Sequence, residues 1–259
     1  MSSQATFHDR AFAELGLDVR LRSVAWPTPD ASGVNQRRAL VAEGRQPWRA
    51  ASWAIGGGGI RTTSRYVCAE VRNADLPVDV APETVVARFL TELDVDGAVV
   101  ALTSANIAAY ATASAQSEGL TACALVTAGL ANALRVGESV DGAPCRYLPG
   151  TINLACWVNA PLTFEAQLEA ISVVTQARTL EILDARVPSL EQNGWATGTG
   201  TDCISLFSLD DTSPERCQRY AGLHTAVGRV LGRSVRDAVA QAVSDWKVAR
   251  VSVDFHTLA

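Results

Sequence analysis

Short apolar runs set wide apart along the chain constrain the fold more than any other feature. Ala98-Val99-Val100-Ala101-Leu102 is apolar at every position, and Gly119–Thr127, Gly150–Val158 and Asp202–Leu209 have a similar character. Runs of this length without two-residue alternation read as strands covered on both faces. A sheet hidden on both sides needs further layers over it. The strands come first and then mix with helices, without strict β-α-β alternation and without a dinucleotide fingerprint. The pattern predicts an α+β fold, a layered domain whose mixed β-sheet is covered by helices.

Local signals place the other elements. Arg49–Ile55 and Arg65–Arg72 read as strands of a hairpin around the Gly56–Gly59 loop. Pro82 and Glu83 open a helix that runs to Leu93. Thr163 is the expected N-cap of a helix from Phe164 to Ala185. That helix is apolar on two sides, which suits a position between layers or a contact in a homo-oligomer. Ser213-Pro214-Glu215 is expected to begin a long C-terminal helix with the stripe Tyr220, Leu223, Val227, Val230, Leu231 and Val235. Residues 1–45 are weakly patterned, and Trp26–Asp30 reads as a turn or extended arm. The expected organisation is an N-terminal arm with the first elements over 1–45 and a single α+β domain over 46–259.

Composition excludes several kinds of chemistry. The net charge of −5 argues against nucleic acid as a partner. Lys247 is the only lysine and follows a tryptophan, so a phosphate-binding loop has no lysine to complete it. None of the six cysteines sits in a C-x-x-C pair, so no metal site is expected. Most cysteines lie in apolar runs and read as buried thiols of a reducing compartment. Met1–Arg10 lacks an apolar signal core, and no stretch is long and apolar enough to span a membrane. A cytoplasmic protein without membrane partners is the expectation.

Five places carry polar groups suited to a site. Thr197-Gly198-Thr199-Gly200-Thr201-Asp202 alternates hydroxyls with glycines and ends on an acid before a buried strand. It is either a tight turn braced by Asp202 or a loop whose backbone approaches a ligand. His224 falls on the inward arc of the expected last helix, as a core histidine or as an acid–base group. Asn132 and Arg135 sit among small residues after a buried strand. Thr151 and Asn153 open another strand after Gly150, and a Gly-Thr step is also a possible self-cleavage point. Gly57 and Gly58, with Arg61 nearby, form either a plain loop or an anion nest.

These blocks resemble the adenosylcobinamide amidohydrolase family over about Trp48 to Val239. The matching strings are Gly129–Gly137, Pro149–Leu154 with Asn159–Thr163, Ala196–Asp202, and Tyr220-Ala221-Gly222-Leu223-His224-Thr225. In the Thr175–Thr179 block the family usually has glutamate and lysine. Gln176 and Arg178 stand there instead, so no charged role is assigned to that block.

The resemblance implies hydrolysis of the amide between the corrin propionate and aminopropanol, as in cobamide salvage. The cobalt corrinoid is then substrate, and the protein itself requires no cofactor. Asp202 is expected to orient or activate water, and His224 to transfer a proton. Gly198–Thr201 amides are expected to stabilise an oxyanion. Asn132, Arg135, Thr151, Asn153, Thr197, Thr199, Gly57 and Gly58 are expected around the substrate. Trp53 and Trp195 offer apolar area to the macrocycle. The alternatives are a corrinoid-binding protein without catalysis and a self-processing hydrolase with Thr151 as N-terminal nucleophile. The expectation is an intact chain.

Overall fold

The computed structural model describes residues 7–27, 33–138, 150–191, 194–211, 213 and 215–257. The fold is α+β, with one eight-stranded mixed sheet and four α-helices among the described residues. After α1 (Phe7–Glu14) come β1 (Leu17–Pro27), β2 (Val34–Ser52) and β3 (Gly59–Glu70). Next are α2 (Pro82–Leu93), β4 (Val99–Thr103), β5 (Ala111–Ser117), β6 (Leu120–Ala128) and the short β7 (Ala133–Leu134). Then follow β8 (Ile152–Pro161), α3 (Phe164–Asp184), the short β9 (Gly198–Thr199), β10 (Cys203–Leu209) and α4 (Ala226–Thr257).

Strand β2 organises the sheet. One of its edges pairs with β3. The other is shared, with β1 along Val34–Gly44 and β10 along Trp48–Ser52. The β2–β3 register shifts between Glu43 and Trp48, where the strand passes from one set of partners to the other. The boundary expected at 45/46 therefore falls inside β2, and residues 17–27 and 34–45 are sheet strands. Thr28–Asp30 of the expected turn lie outside the described residues.

Side-chain alternation separates three cores. Leu40 and Ala42 of β2, Tyr66 and Cys68 of β3, and Val99 and Ala101 of β4 share one core with Cys123, Leu125, Ala155, Trp157 and Phe207. The two halves of the sheet thus face each other across that core, where Trp157 stacks on Phe207 at 4.9 Å. Outside one half, α2 packs Val85, Val86 and Phe89 on Ala39, Val41, Val67 and Val100. Outside the other half, α3 and α4 cover β5, β6, β8 and β10.

The helices connect parallel strands. Helix α2 joins β3 to its parallel neighbour β4, and α3 joins β8 to its parallel neighbour β10. A parallel pair needs such a crossover. Its consequence is that β8 and β10 begin at the same end of the sheet, with Cys203 beside Asn153.

The last helix differs from expectation. It begins at Ala226, and the stripe it buries is Val227, Val230, Leu231 and Val235. Tyr220 and Leu223 are exposed. The backbone before Ala226 is committed elsewhere. Gln218 N–H donates to Pro161 O, Thr163 N–H donates to Gln218 O, and Ala221 N–H donates to the Glu169 carboxylate. Thr225 Oγ1 then accepts Gly228 N–H at 2.9 Å, in the geometry of an N-cap. Thr163 caps α3 as expected, accepting Ala166 N–H at 3.3 Å.

Candidate active site

The parallel starts of β8 and β10 bring Thr151 and Asp202 together. Thr151 Oγ1 donates to Thr201 O at 2.9 Å, and Ile152 N–H donates to Asp202 Oδ1 at 3.1 Å. Asp202 also gathers its own loop. Thr199 N–H reaches Oδ2 at 3.0 Å, and Thr199 Oγ1 reaches Oδ1 at 2.5 Å. Arg178 Nη1 on α3 completes the set, 2.8 Å from Oδ2. Each carboxylate oxygen accepts two donors, which fills the ordinary capacity of the group. A Cβ on Gly198 would lie 2.4 Å from Asp202 Oδ2, so this close approach requires glycine. The loop is therefore a turn braced by Asp202.

A second small sheet fixes the neighbouring loop. Strands β7 and β9 pair Ala133 with Thr199 and Leu134 with Gly198. Thr197 donates its amide to Leu134 O, and its Oγ1 accepts Val136 N–H at 2.8 Å. Arg135 is exposed, and its Nη1 donates to Trp195 O at 3.0 Å. Asn132 precedes β7. Its Oδ1 is buried without a hydrogen-bond partner, and a Cβ on Gly150 would come within 2.6 Å of it. A buried carbonyl oxygen with no donor is costly, so this acceptor is left unmet in the fold.

Trp53 closes the other side. Its Nε1–H donates to Asp202 O at 2.8 Å while the residue remains 51% exposed. Gly57 and Gly58 serve packing. Gly57 has φ +63°, and a Cβ there would meet Ala98 O at 2.5 Å, while one on Gly58 would meet Ala54 O at 2.4 Å. Both glycines shape the loop that carries Trp53.

Two expected site residues lie elsewhere. Asn153 is buried between the sheet halves, donating to Leu102 O at 2.9 Å and to Cys68 Sγ at 3.5 Å. It ties the layers together and does not face the junction surface. His224 is exposed in the turn before α4, contrary to the inward helical position expected for it. Its carbonyl accepts from Arg229, which pairs with Glu118 in the β5–β6 turn. That turn lies beyond the far end of β8, because Ala122 pairs with Val158. The ten residues of β8 span about 30 Å. Asp202 and His224 are therefore at opposite ends of the sheet and cannot share a proton.

Burial holds Cys203, next to Asp202, up at about 11 and Cys123 at about 12. Such thiols remain protonated core groups. Cys68, Cys123, Cys156, Cys203 and Cys217 are unpaired, and Cys145 lies outside the described residues. Among the described residues no three His, Cys, Asp or Glu side chains gather as metal ligands. No described helix is long and apolar enough to cross a membrane.

Residues 27–250, which include every group of this junction, match the adenosylcobinamide amidohydrolase family. The chain belongs to that family. An uncharacterised protein of Methanocaldococcus jannaschii is 30% identical over 165 residues, covering 54% of this chain. The chain spans about 60% of the length of that curated relative. Among solved structures, a Burkholderia sp. beta-aminopeptidase aligns with TM-score 0.44 and 17% identity, over 86% of this chain and 83% of that one. The PH0078 protein of Pyrococcus horikoshii aligns with TM-score 0.40 and 13% identity, over 89% and 90%. Within this family member, Arg178 is the site residue that the sequence reading missed. The i+3 and i+4 positions that place Val174, Ala177 and Arg178 on the sheet-facing side of α3 were the available signal.

Proposed function

We propose that this protein hydrolyses the amide joining aminopropanol to the corrin ring of adenosylcobinamide. Water oxygen adds to the amide carbonyl carbon, the C–N bond breaks, and the departing nitrogen takes a proton. Adenosylcobyric acid and the amino alcohol result. The family match carries the reading, because it spans the whole Thr151–Asp202 junction.

The residues present divide the work unevenly. Asp202 has no acceptor capacity left for water, so it is a positioning residue that holds Thr151 and the Thr197–Thr201 loop in register. Asn132 Oδ1 accepts the N–H of the scissile amide, which orients the carbonyl toward Thr151. We assign contact with the reacting amide to the Thr151 hydroxyl, which donates to Thr201 O in the ligand-free fold. Of the amides expected to cradle an oxyanion, that of Thr199 is already bound to Asp202. Cobalt arrives with the substrate. A cytoplasmic setting suits the unpaired buried thiols.

The test is incubation of purified protein with adenosylcobinamide, with aminopropanol and adenosylcobyric acid measured by mass. Stoichiometric release of both is expected. Tight corrinoid binding without release would replace the hydrolase with a corrinoid-binding protein.

A further inference from the structure

The geometry points to Trp53 as the specificity-determining residue of this site, presenting a fixed indole face to the apolar edge of the corrin macrocycle. The inference rests on the corrinoid amidohydrolase reading above. Two observations on the indole carry it. The residue is 51% exposed, an unusual outlay of apolar surface for so large a ring. It is nevertheless held, because its N–H donates to Asp202 O. An exposed ring free to rotate gains nothing from a ligand until it is ordered, whereas a latched ring has already given up that freedom. The latch also joins the ring to the carbonyl of the residue that positions Thr151. A ligand lying on Trp53 therefore reaches the junction from a defined side.

The surroundings match a large, flat, mostly apolar ligand with amides at its rim. Ile55, on the same loop, is 46% exposed, and Trp195, at the start of the Thr-Gly loop, is 45% exposed. Thr151, whose hydroxyl donates to Thr201 O next to Asp202, is the polar group tied to the same loop that latches the indole. A Cβ on Gly58 would lie 2.4 Å from Ala54 O, so glycine keeps the loop after Trp53 tightly folded. A small linear amide would leave the Trp53 indole wet; a macrocycle offers it a flat apolar face.

The experiment compares wild type with Trp53→Leu and Trp53→Phe. With adenosylcobinamide, Trp53→Leu should raise KM about tenfold with kcat changed less than about threefold. Trp53→Phe, which keeps an aromatic face, should recover most of the affinity. Oxidative footprinting supplies a readout independent of turnover: saturating adenosylcobyric acid should protect Trp53 in the folded wild-type protein. Equal oxidation of Trp53 with and without corrinoid, or an unchanged KM in folded Trp53→Leu, overturns the inference. Protection of Trp53 in a protein that releases no aminopropanol supports the Trp53 contact and refutes hydrolysis.

Discussion

Arg178 Nη1 lies 2.8 Å from Asp202 Oδ2, and the two side chains are only 12% and 8% exposed. This pair bolts α3 to the loop before β10, and through Ile152 N–H to the start of β8. Removing one member leaves the other charged and buried, which costs about 3 kcal/mol or more. Asp202→Asn and Arg178→Met should each lower the melting temperature substantially. The double variant should be less destabilised than the sum of the two. Activity should fall with each, because Thr151 loses its register. A melting series across the four proteins checks the coupling, and strict additivity would show that the pair does not bind the layers.

Asn132 should behave in the opposite way. Its unpartnered Oδ1 contributes nothing to the ligand-free fold, so Asn132→Ala should leave stability unchanged or raise it by about 1 kcal/mol. The same change removes an acceptor for the substrate amide and should lower kcat/KM by about tenfold or more. Normal turnover by a fully folded variant would end its assignment to the substrate.

His224→Ala should change little. The residue is exposed and sits at the far end of β8 from the junction. Turnover within about twofold of wild type and a melting shift below about 2 °C are expected for a surface substitution. A large loss of kcat with normal stability would require a different location for the chemistry.

Strands β3, β4, β6, β8 and β10 and helices α2 and α3 were legible because each carries its own local signal: an apolar run, Pro82 at a first turn, Thr163 as a cap. Strand β1 and the first half of β2 were not. Exposed Arg20 and Arg22 interrupt the apolar pattern of the outer strand β1, and the half-buried Arg37 and Arg38 interrupt that of β2. His224 was misplaced because helical periodicity through Tyr220 and Leu223 is real in the sequence but not used. Partners from β8 and α3 claim those backbone groups first. The Thr197–Asp202 loop was recognisable as a site element, yet whether Asp202 is free or fully bonded depends on Arg178 and Ile152, 24 and 50 residues away.

Glu70 should govern part of the acid sensitivity of the fold. Burial works to raise its pKa, but the Arg38 hydrogen bond and the charges of Arg38, Arg72 and Arg37 outweigh burial, and the pKa is lowered. A carboxyl with a depressed folded pKa stabilises above its unfolded value and loses that contribution as pH falls through the folded value. Glu70→Gln should therefore melt earlier than wild type at neutral pH. The gap should narrow as the pH drops below the ordinary value of 4.5. A gap that stays constant from neutral to acid pH would show that Glu70 does not act through its charge.

The Gly150–Thr151 peptide should survive in the active protein. Self-cleavage would require Thr151 Oγ to attack the Gly150 carbonyl carbon while a base removes its proton. That proton is instead donated to the Thr201 carbonyl, a weak base. The nearest carboxylate, Asp202, already accepts from Ile152, Thr199 and Arg178. Gly129 N–H further holds the Thr151 carbonyl at 2.9 Å, so the residue is anchored through both its side chain and its carbonyl. Active protein should show one mass near 27.4 kDa. Thr151→Ala should keep that mass and lose turnover, whereas Thr151→Ser should retain part of it. Two fragments divided after Gly150, appearing in wild type and absent from Thr151→Ala, would instead make the new N-terminal threonine the nucleophile, with its α-amine as base and Asn132 Oδ1 as the acceptor for that amine.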